Sequence, residues 1–123
     1  MNRYRSFCCA VLALFLPGVQ TYAGAPAEFL RVPPGFKAEI LVADVPKARS
    51  MALGDAGTLF VGTQFGDGTV YAIHDALGDH PQVTKFVQGL KVPNGLAFRD
   101  GALYVAEPRR ILRFPKAEQR SAE

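Results

Sequence analysis

The densest group of side chains that could perform chemistry lies in the segment HDALGDHP, which contains His74, Asp75, Asp79 and His80. Imidazole and carboxylate groups are suitable ligands for divalent metal ions. A metal site also needs surrounding groups that hold its ligands in place, and this polar connection supplies none. We therefore interpret the segment as a solvated loop, with the metal site as the alternative.

The sequence offers no pattern for covalent catalysis or phosphate binding. Its few hydroxyl residues have no histidine at matching positions that could act as a base. Gly66 and Gly68 are not followed by a helical pattern that could present its N-terminus to a phosphate. Cys8 and Cys9 lie inside an apolar run and are interpreted as apolar filler. We predict no catalytic residue and no metal ligand in this chain.

Residues 1–23 have the three parts of a secretory signal peptide. Arg3 and Arg5 precede the apolar run FCCAVLALFL, and the small residues Thr21 and Ala23 lie at the predicted cleavage site. We predict cleavage after Ala23 and a periplasmic or secreted location; an uncleaved membrane anchor is the alternative. Without this segment, 12 of the 14 basic residues remain against 11 acidic ones. This balance gives no support to nucleic-acid binding.

A repeat of about 45 residues organises the rest of the chain. Residues 38–53 align with residues 83–98, and the runs TLFVG and VYAI align with ALYVA and ILRF. These runs are apolar at consecutive positions, which is typical of strands covered on both faces. A period near 45 with about four short strands per unit indicates β-propeller blades. The sequence therefore predicts an all-β fold of the β-propeller class, with tight turns at residues 55–57, 66–68 and 100–101.

The predicted boundaries follow from the repeat. Residues 24–37 lead into the fold, residues 38–114 form a partial propeller, and residues 115–123 form a polar tail without a fourth strand. Ala38 to Ala43 is predicted to be the outer strand of a unit, one blade runs from Ser50 to Gln88, and the next ends after its third strand at Phe114. A propeller needs four to eight blades. We therefore expect a fragment whose exposed sheets need missing blades or self-association to cover them.

The candidate binding residues are the polar residues in the loops at one end of each blade. In an up-and-down blade, the loop before the first strand and the loop between the second and third strands lie at the same end. Arg49 and Asn94 are the main candidates for ligand binding. The polar residues predicted to line this rim are Arg49, Gln64, Asn94, Glu107 and Arg109. The alternatives are a loop-bracing role for Arg49 and a turn role for Asn94. For Glu107 we expect a strand end with a solvated carboxylate rather than a catalytic acid.

Two segments resemble the sorbosone dehydrogenase family, relatives of the soluble pyrroloquinoline-quinone (PQQ) dependent sugar dehydrogenases. They are LRVPPGFKAEILVADVPKARSMALGDAGTLFVGT and VPNGLAFRDGALYVAEPRRILRF. The second segment is also similar to lactonase-type and other six-bladed propellers. The resemblance implies a six-bladed propeller that holds PQQ and calcium and oxidises a sugar hydroxyl or aldehyde, with a histidine as base. That histidine belongs to a later blade, and His74 and His80 do not match its motif.

This resemblance also implies a ligand for the rim. The Arg49 guanidinium would bind carboxylates of the quinone through paired, charge-assisted hydrogen bonds, and the Asn94 amide would bond a cofactor oxygen or ligate a metal. We expect PQQ and calcium to bind the complete propeller rather than this inactive fragment. The alternatives are a lactonase-like hydrolase with Asn94 as a metal ligand, a non-catalytic binding propeller, and a short protein whose copies assemble into a ring.

Overall fold

A computed structural model describes residues 30–122 of the chain, so the predicted signal peptide lies outside the described residues. The elements are β1 (Ala48–Leu53), β2 (Leu59–Thr63), β3 (Val70–His74), β4 (Gln82–Val87), β5 (Gly95–Arg99), β6 (Ala102–Glu107), β7 (Arg110–Pro115) and α1 (Ala117–Ser121). Within the described part of the chain, no helix is long and apolar enough to cross a membrane.

The strands form two antiparallel sheets. Sheet 1 has the order β1-β2-β3-β4 and sheet 2 the order β5-β6-β7, which confirms the all-β class. Sheet 1 agrees with the predicted four-stranded unit, and sheet 2 agrees with the predicted unit that ends after its third strand. Over residues 30–122 the two sheets do not close into a ring. The turn at Asp100 and Gly101 joins β5 to β6 with φ values of 51° and 70°, as a type I′ hairpin turn requires.

The core lies between the two sheets. Phe60, Leu103 and Val105 have no exposed surface there, and Phe60 stacks on Phe98 with ring centroids 5.8 Å apart. The Phe86 ring meets Phe60 edge-on at 5.2 Å. Aromatic pairs at these separations add to the stabilisation from apolar burial. This cluster fixes sheet 1 against sheet 2 and therefore fixes the loops at their ends.

Equivalent positions of the repeat face in the same direction in both sheets. Phe60 of sheet 1 packs toward sheet 2, whereas its repeat counterpart Tyr104 is paired with Arg113 on the outer face of sheet 2. Conversely, Val61 belongs to a cluster on the outer face of sheet 1, and its counterpart Val105 packs inward. The two sheets thus stack head to tail: the Phe60 face of sheet 1 contacts the Val105 face of sheet 2, which is equivalent in the repeat to the outer, Val61 face of sheet 1.

The prediction of an outer strand from Ala38 to Ala43 is wrong, because these residues have no strand structure. Val42 and the nearby Val45 pack instead against the cluster formed by Val61, Tyr71 and Ile73 on the outer face of sheet 1. Within residues 30–122 this segment has no neighbouring strand to pair with, so its apolar side chains cover an open sheet face.

Residues 117–121, inside the segment described from the sequence as a polar tail, form α1. Ala117 is fully buried. The Glu118 carboxylate accepts hydrogen bonds from the backbone N–H groups of Ala56 at 3.0 Å and Thr58 at 3.1 Å. These bonds connect the C-terminal helix of the described chain to the β1–β2 loop of the other sheet.

Removing the Glu118 carboxylate is expected to loosen this connection. Glu118→Ala leaves two loop N–H groups without their charged acceptor, and we expect a loss of about 1–2 kcal/mol in the free energy of unfolding, measured by urea denaturation. Gln119→Ala, an exposed change in the same helix, is the control and should change stability by less than about 0.5 kcal/mol. Equal losses from both variants would contradict the role assigned to Glu118.

Candidate functional site

Three of the predicted rim residues lie together in one open groove. Arg49, Gln64 and Asn94 line a cavity of about 630 Å³ with four neighbours, Lys47, Ala48, Ser50 and Phe65. We call this cavity the rim groove. Its walls come from the start of β1, the end of β2 and the residue before β5. These positions meet because β1 and β2 run antiparallel and β5 starts at the same end as β1.

The loop before β5 is held close to sheet 1. The Ser50 hydroxyl donates a hydrogen bond to the Asn94 carbonyl oxygen, and the Asn94 N–H donates to the Val92 carbonyl at 2.7 Å. A Cβ on Gly62 would lie 2.2 Å from the Pro93 carbonyl oxygen, so only glycine permits this approach. Val92 has a φ of 46°, which is uncommon for a β-branched residue and costs conformational energy that the surrounding contacts must offset.

The rim groove is positively charged. Lys47 and Arg49 line it without a carboxylate among the lining residues, and neither forms a salt bridge with another residue of the described chain. The Phe65 side chain is 66% exposed at the same place. Two cations, two amides and an exposed phenyl ring suit a planar anion, which could form charge-assisted hydrogen bonds and pack on the ring. The lining contains no histidine, carboxylate or thiol that could act as an acid, base or nucleophile.

Glu107 and Arg109 lie at the same end of the molecule but line a different cleft, of about 350 Å³, with Lys91, Pro108 and Arg110. The Glu107 side chain is only 3% exposed and forms a salt bridge with Arg110. Its carboxylate also accepts a hydrogen bond from the backbone N–H of Lys91 at 2.6 Å. The predicted solvated carboxylate is therefore wrong, because Glu107 ties the loop before β5 to the β6–β7 turn.

The contacts of Glu107 predict a dependence of stability on pH. The Arg110 guanidinium and the Lys91 N–H lower the pKa of Glu107 below its ordinary value. The ionised carboxylate therefore stabilises the folded state near neutral pH, and this stabilisation is lost as the pH falls through the lowered pKa. We expect Glu107→Gln to lower the melting temperature by a few degrees at neutral pH and by much less at a pH below the lowered pKa of Glu107. A difference that is the same at both pH values would contradict this role.

The two histidines lie away from the rim groove. His74 ends β3 opposite Gln82, at the other end of sheet 1, and its Nε2 lies 3.1 Å from the Thr84 hydroxyl. The backbone N–H of His80 donates to the Asp75 carboxylate at 3.3 Å. In residues 30–122, no three histidine, cysteine, aspartate or glutamate side chains are grouped as a metal site would require.

Four residues of the rim groove were not predicted from the sequence: Lys47, Ala48, Ser50 and Phe65. Lys47 and Phe65 lie in the two loops that the blade geometry places at this end. Phe65 is apolar, and nothing in the sequence distinguishes the ammonium group of Lys47 from that of any other loop lysine. An apolar aromatic residue in the otherwise polar run TQFGDG is a signal that could have identified Phe65, since large apolar side chains in polar loops often mark binding surfaces.

Comparisons of this chain with protein-family models, with curated proteins and with solved structures found no match. A functional assignment therefore depends on the residues of the rim groove and on the sequence resemblance described above.

Proposed function

We propose that this chain is the N-terminal part of a periplasmic PQQ-dependent sugar or sorbosone dehydrogenase of the six-bladed propeller type, and that the rim groove binds the quinone. One observation carries the proposal. Arg49, Gln64 and Asn94 come from three separate segments that the blade geometry selects from the repeat alone, and they line a single groove. The alternative roles, a loop-bracing Arg49 and a turn residue Asn94, do not require these side chains to line one groove.

The stacking of the sheets supports the propeller part of the proposal. Successive blades of a propeller turn the same face toward the next blade, and the two sheets have this head-to-tail relation. The main strand contacts between the sheets involve their first strands, β1 and β5. In a propeller the first strand of each blade lies nearest the central channel, so the rim groove would open beside that channel.

The groove residues fit the chemistry of a planar polycarboxylate. Arg49 and Lys47 would bind its carboxylates, the amides of Gln64 and Asn94 would hydrogen-bond its carbonyl oxygens, and the Phe65 ring would cover one face of its ring system. When bound, PQQ supplies the two-electron acceptor for the oxidation of a sugar hydroxyl or aldehyde. The groove alone does not fit calcium, which prefers several carboxylate oxygens, because no carboxylate lines it.

Because the groove is formed within residues 47–94, the chain alone should keep part of the quinone affinity, in contrast to the expectation from the sequence. Equilibrium dialysis of PQQ against the chain, with divalent ions removed, tests this directly. Saturable binding that is displaced by another aromatic tricarboxylate supports the proposal. Absence of PQQ binding together with metal-dependent lactone hydrolysis would instead favour a lactonase-like hydrolase.

A further inference from the structure

A second cleft lies at the same end of the molecule as the rim groove and takes no part in the proposed quinone site. We call it the turn cleft; it has a volume of about 350 Å³ and is lined by Lys91, Glu107, Pro108, Arg109 and Arg110. Its walls are the loop before β5 and the β6–β7 turn, which are the repeat counterparts of the loop before β1 and the β2–β3 loop. The turn cleft is therefore the counterpart of the rim groove in the second unit.

The two sites share a backbone arrangement but differ in their side chains. Lys47 and its repeat counterpart Val92, in the loops before β1 and β5, both have a left-handed conformation, with φ values of 61° and 46°. The second residue after β2 is Phe65, which lines the rim groove. The second residue after β6 is Arg109, which lines the turn cleft. A similar arrangement of loops therefore presents a guanidinium group in place of an aromatic ring.

Glu107 holds the two walls of the turn cleft together. Its carboxylate accepts a hydrogen bond from the Lys91 N–H at 2.6 Å and forms a salt bridge with Arg110. These contacts fix the Lys91 backbone and the Arg110 guanidinium relative to each other. Glu107 is the one carboxylate among the described lining residues, and it is already paired, so it does not neutralise the remaining cations of the cleft.

A tight turn positions Arg109 at the turn cleft. Glu107 pairs with Arg110 where β6 meets β7, so the turn consists of Pro108 and Arg109. Neither residue has a positive φ, and proline is favoured at the first central position of a type I turn. Because the proline ring fixes φ, the backbone that leads into Arg109 has little freedom. The Arg109 side chain is exposed and forms no salt bridge within residues 30–122.

The charge and size of the turn cleft favour a small anionic group. Lys91, Arg109 and Arg110 line it with a single, paired carboxylate, and Lys91 is exposed and forms no salt bridge within residues 30–122. An arginine binds a carboxylate or a phosphate through parallel hydrogen bonds, and a lysine adds a compact charge. No aromatic ring is among the described lining residues, so the cleft does not offer a planar ligand the surface that Phe65 offers in the rim groove.

We propose that the turn cleft binds the carboxylate or phosphate group of an acidic sugar through Arg109 and Lys91. The loop that contains Lys91 continues to Asn94 in the rim groove, so one loop contributes to both sites. The sugar part of the proposal rests on the proposed function, because a sugar that reaches a quinone in the rim groove approaches this end of the sheets. Anion binding does not rest on it. In the proposed propeller, the corresponding loop of the following blade would line the turn cleft as Asn94 lines the rim groove.

Titrations of the isotopically labelled full chain with three sugars, observed by NMR, test the proposal. Glucuronate carries a carboxylate, glucose 6-phosphate carries a phosphate, and glucose carries no charge. We expect saturable shifts of the Arg109 guanidinium N–H signals with at least one charged sugar and none with glucose, and the more tightly bound sugar identifies the anionic group. No saturable shift with either charged sugar would overturn the proposal. Acetate or inorganic phosphate that binds as tightly as the charged sugars would overturn its sugar part.

Two variants test the binding residues. Arg109→Ala and Lys91→Gln should each weaken the binding of the charged sugar about tenfold, through the loss of a hydrogen bond to a charged group. Lys91→Gln keeps the backbone N–H that donates to Glu107, so the cleft should keep its shape and the urea midpoint should remain nearly constant. Arg99→Ala, at the opposite end of the sheets, is the control and should bind normally. An unchanged affinity in both Arg109→Ala and Lys91→Gln would overturn the assignment.

The sugar titrations and the equilibrium dialysis of PQQ separate this proposal from the quinone site. PQQ binding without binding of a charged sugar would contradict the turn cleft alone. Binding of a charged sugar that depends on Arg109, without PQQ binding, would support the turn cleft as an anion site and contradict the quinone site.

Discussion

Gly68→Ala is expected to destabilise the protein more than alanine at any other glycine of residues 30–122, by about 3 kcal/mol or more. A Cβ at this position would lie 1.6 Å from the Leu90 carbonyl oxygen, and the residue has a φ of +68°. Leu90 cannot retreat freely, because its N–H donates to the Gly68 carbonyl at 3.1 Å. The substitution therefore combines a backbone clash with a left-handed conformation that alanine adopts unfavourably.

Gly57→Ala separates these two effects. Gly57 also has a positive φ, of +91°, but a Cβ there would meet no atom within 4 Å. We expect this control to cost only about 1 kcal/mol in urea denaturation. Comparable losses at the two positions would show that residues 67–68 do not pack against residues 89–90 as the structure describes.

Arg49→Ala is expected to lower the affinity for PQQ by about 10- to 100-fold, which corresponds to the loss of hydrogen bonds to a charged group. Arg49 is the residue of the rim groove whose guanidinium can bind a carboxylate through two parallel bonds. Its side chain is exposed and forms no salt bridge among the described residues. Folding should therefore survive the change, and the urea midpoint should remain nearly constant.

Two controls test whether the loss of PQQ affinity is specific to the end of the sheets that carries the rim groove. Arg99→Ala removes an equal charge from the opposite end, where the arginine pairs with Asp100 at 3.3 Å. His74→Ala removes the histidine at the end of β3. Both variants should bind PQQ with unchanged affinity in equilibrium dialysis. Equal losses from Arg49→Ala and either control would place the binding surface elsewhere.

The parts of the fold that depend on local sequence were predictable. The Asp100-Gly101 turn follows from turn chemistry, and β2, β3, β6 and β7 follow from repeated apolar runs. The repeat also predicts which loops share an end, and it therefore places Arg49 and Asn94 on the same rim, where both line one groove. Antiparallel pairing converts strand order directly into loop position, so this step needs no knowledge of side-chain contacts.

The remaining features depend on contacts between distant residues. Residues 38–43 have a strand sequence but lack a neighbouring strand in the described chain, so packing on sheet 1 determines their conformation. The five-residue helix α1 is too short to be recognised by periodicity. It depends on the Glu118 carboxylate, whose backbone N–H donors, Ala56 and Thr58, lie about 60 residues away. The Glu107 carboxylate accepts a hydrogen bond from the Lys91 N–H, 16 residues away, and no local sequence pattern indicates that contact.

The most direct test of the proposed quinone site is a titration of the isotopically labelled chain with PQQ, observed by NMR at the side-chain N–H groups. The proposal predicts saturable shifts at the Arg49 guanidinium and at the amides of Gln64 and Asn94, whereas Gln82, at the opposite end of sheet 1, stays unchanged. The same signals should not move with a neutral quinone. Saturable shifts at Gln82 instead, or none at the rim groove, would contradict the proposal.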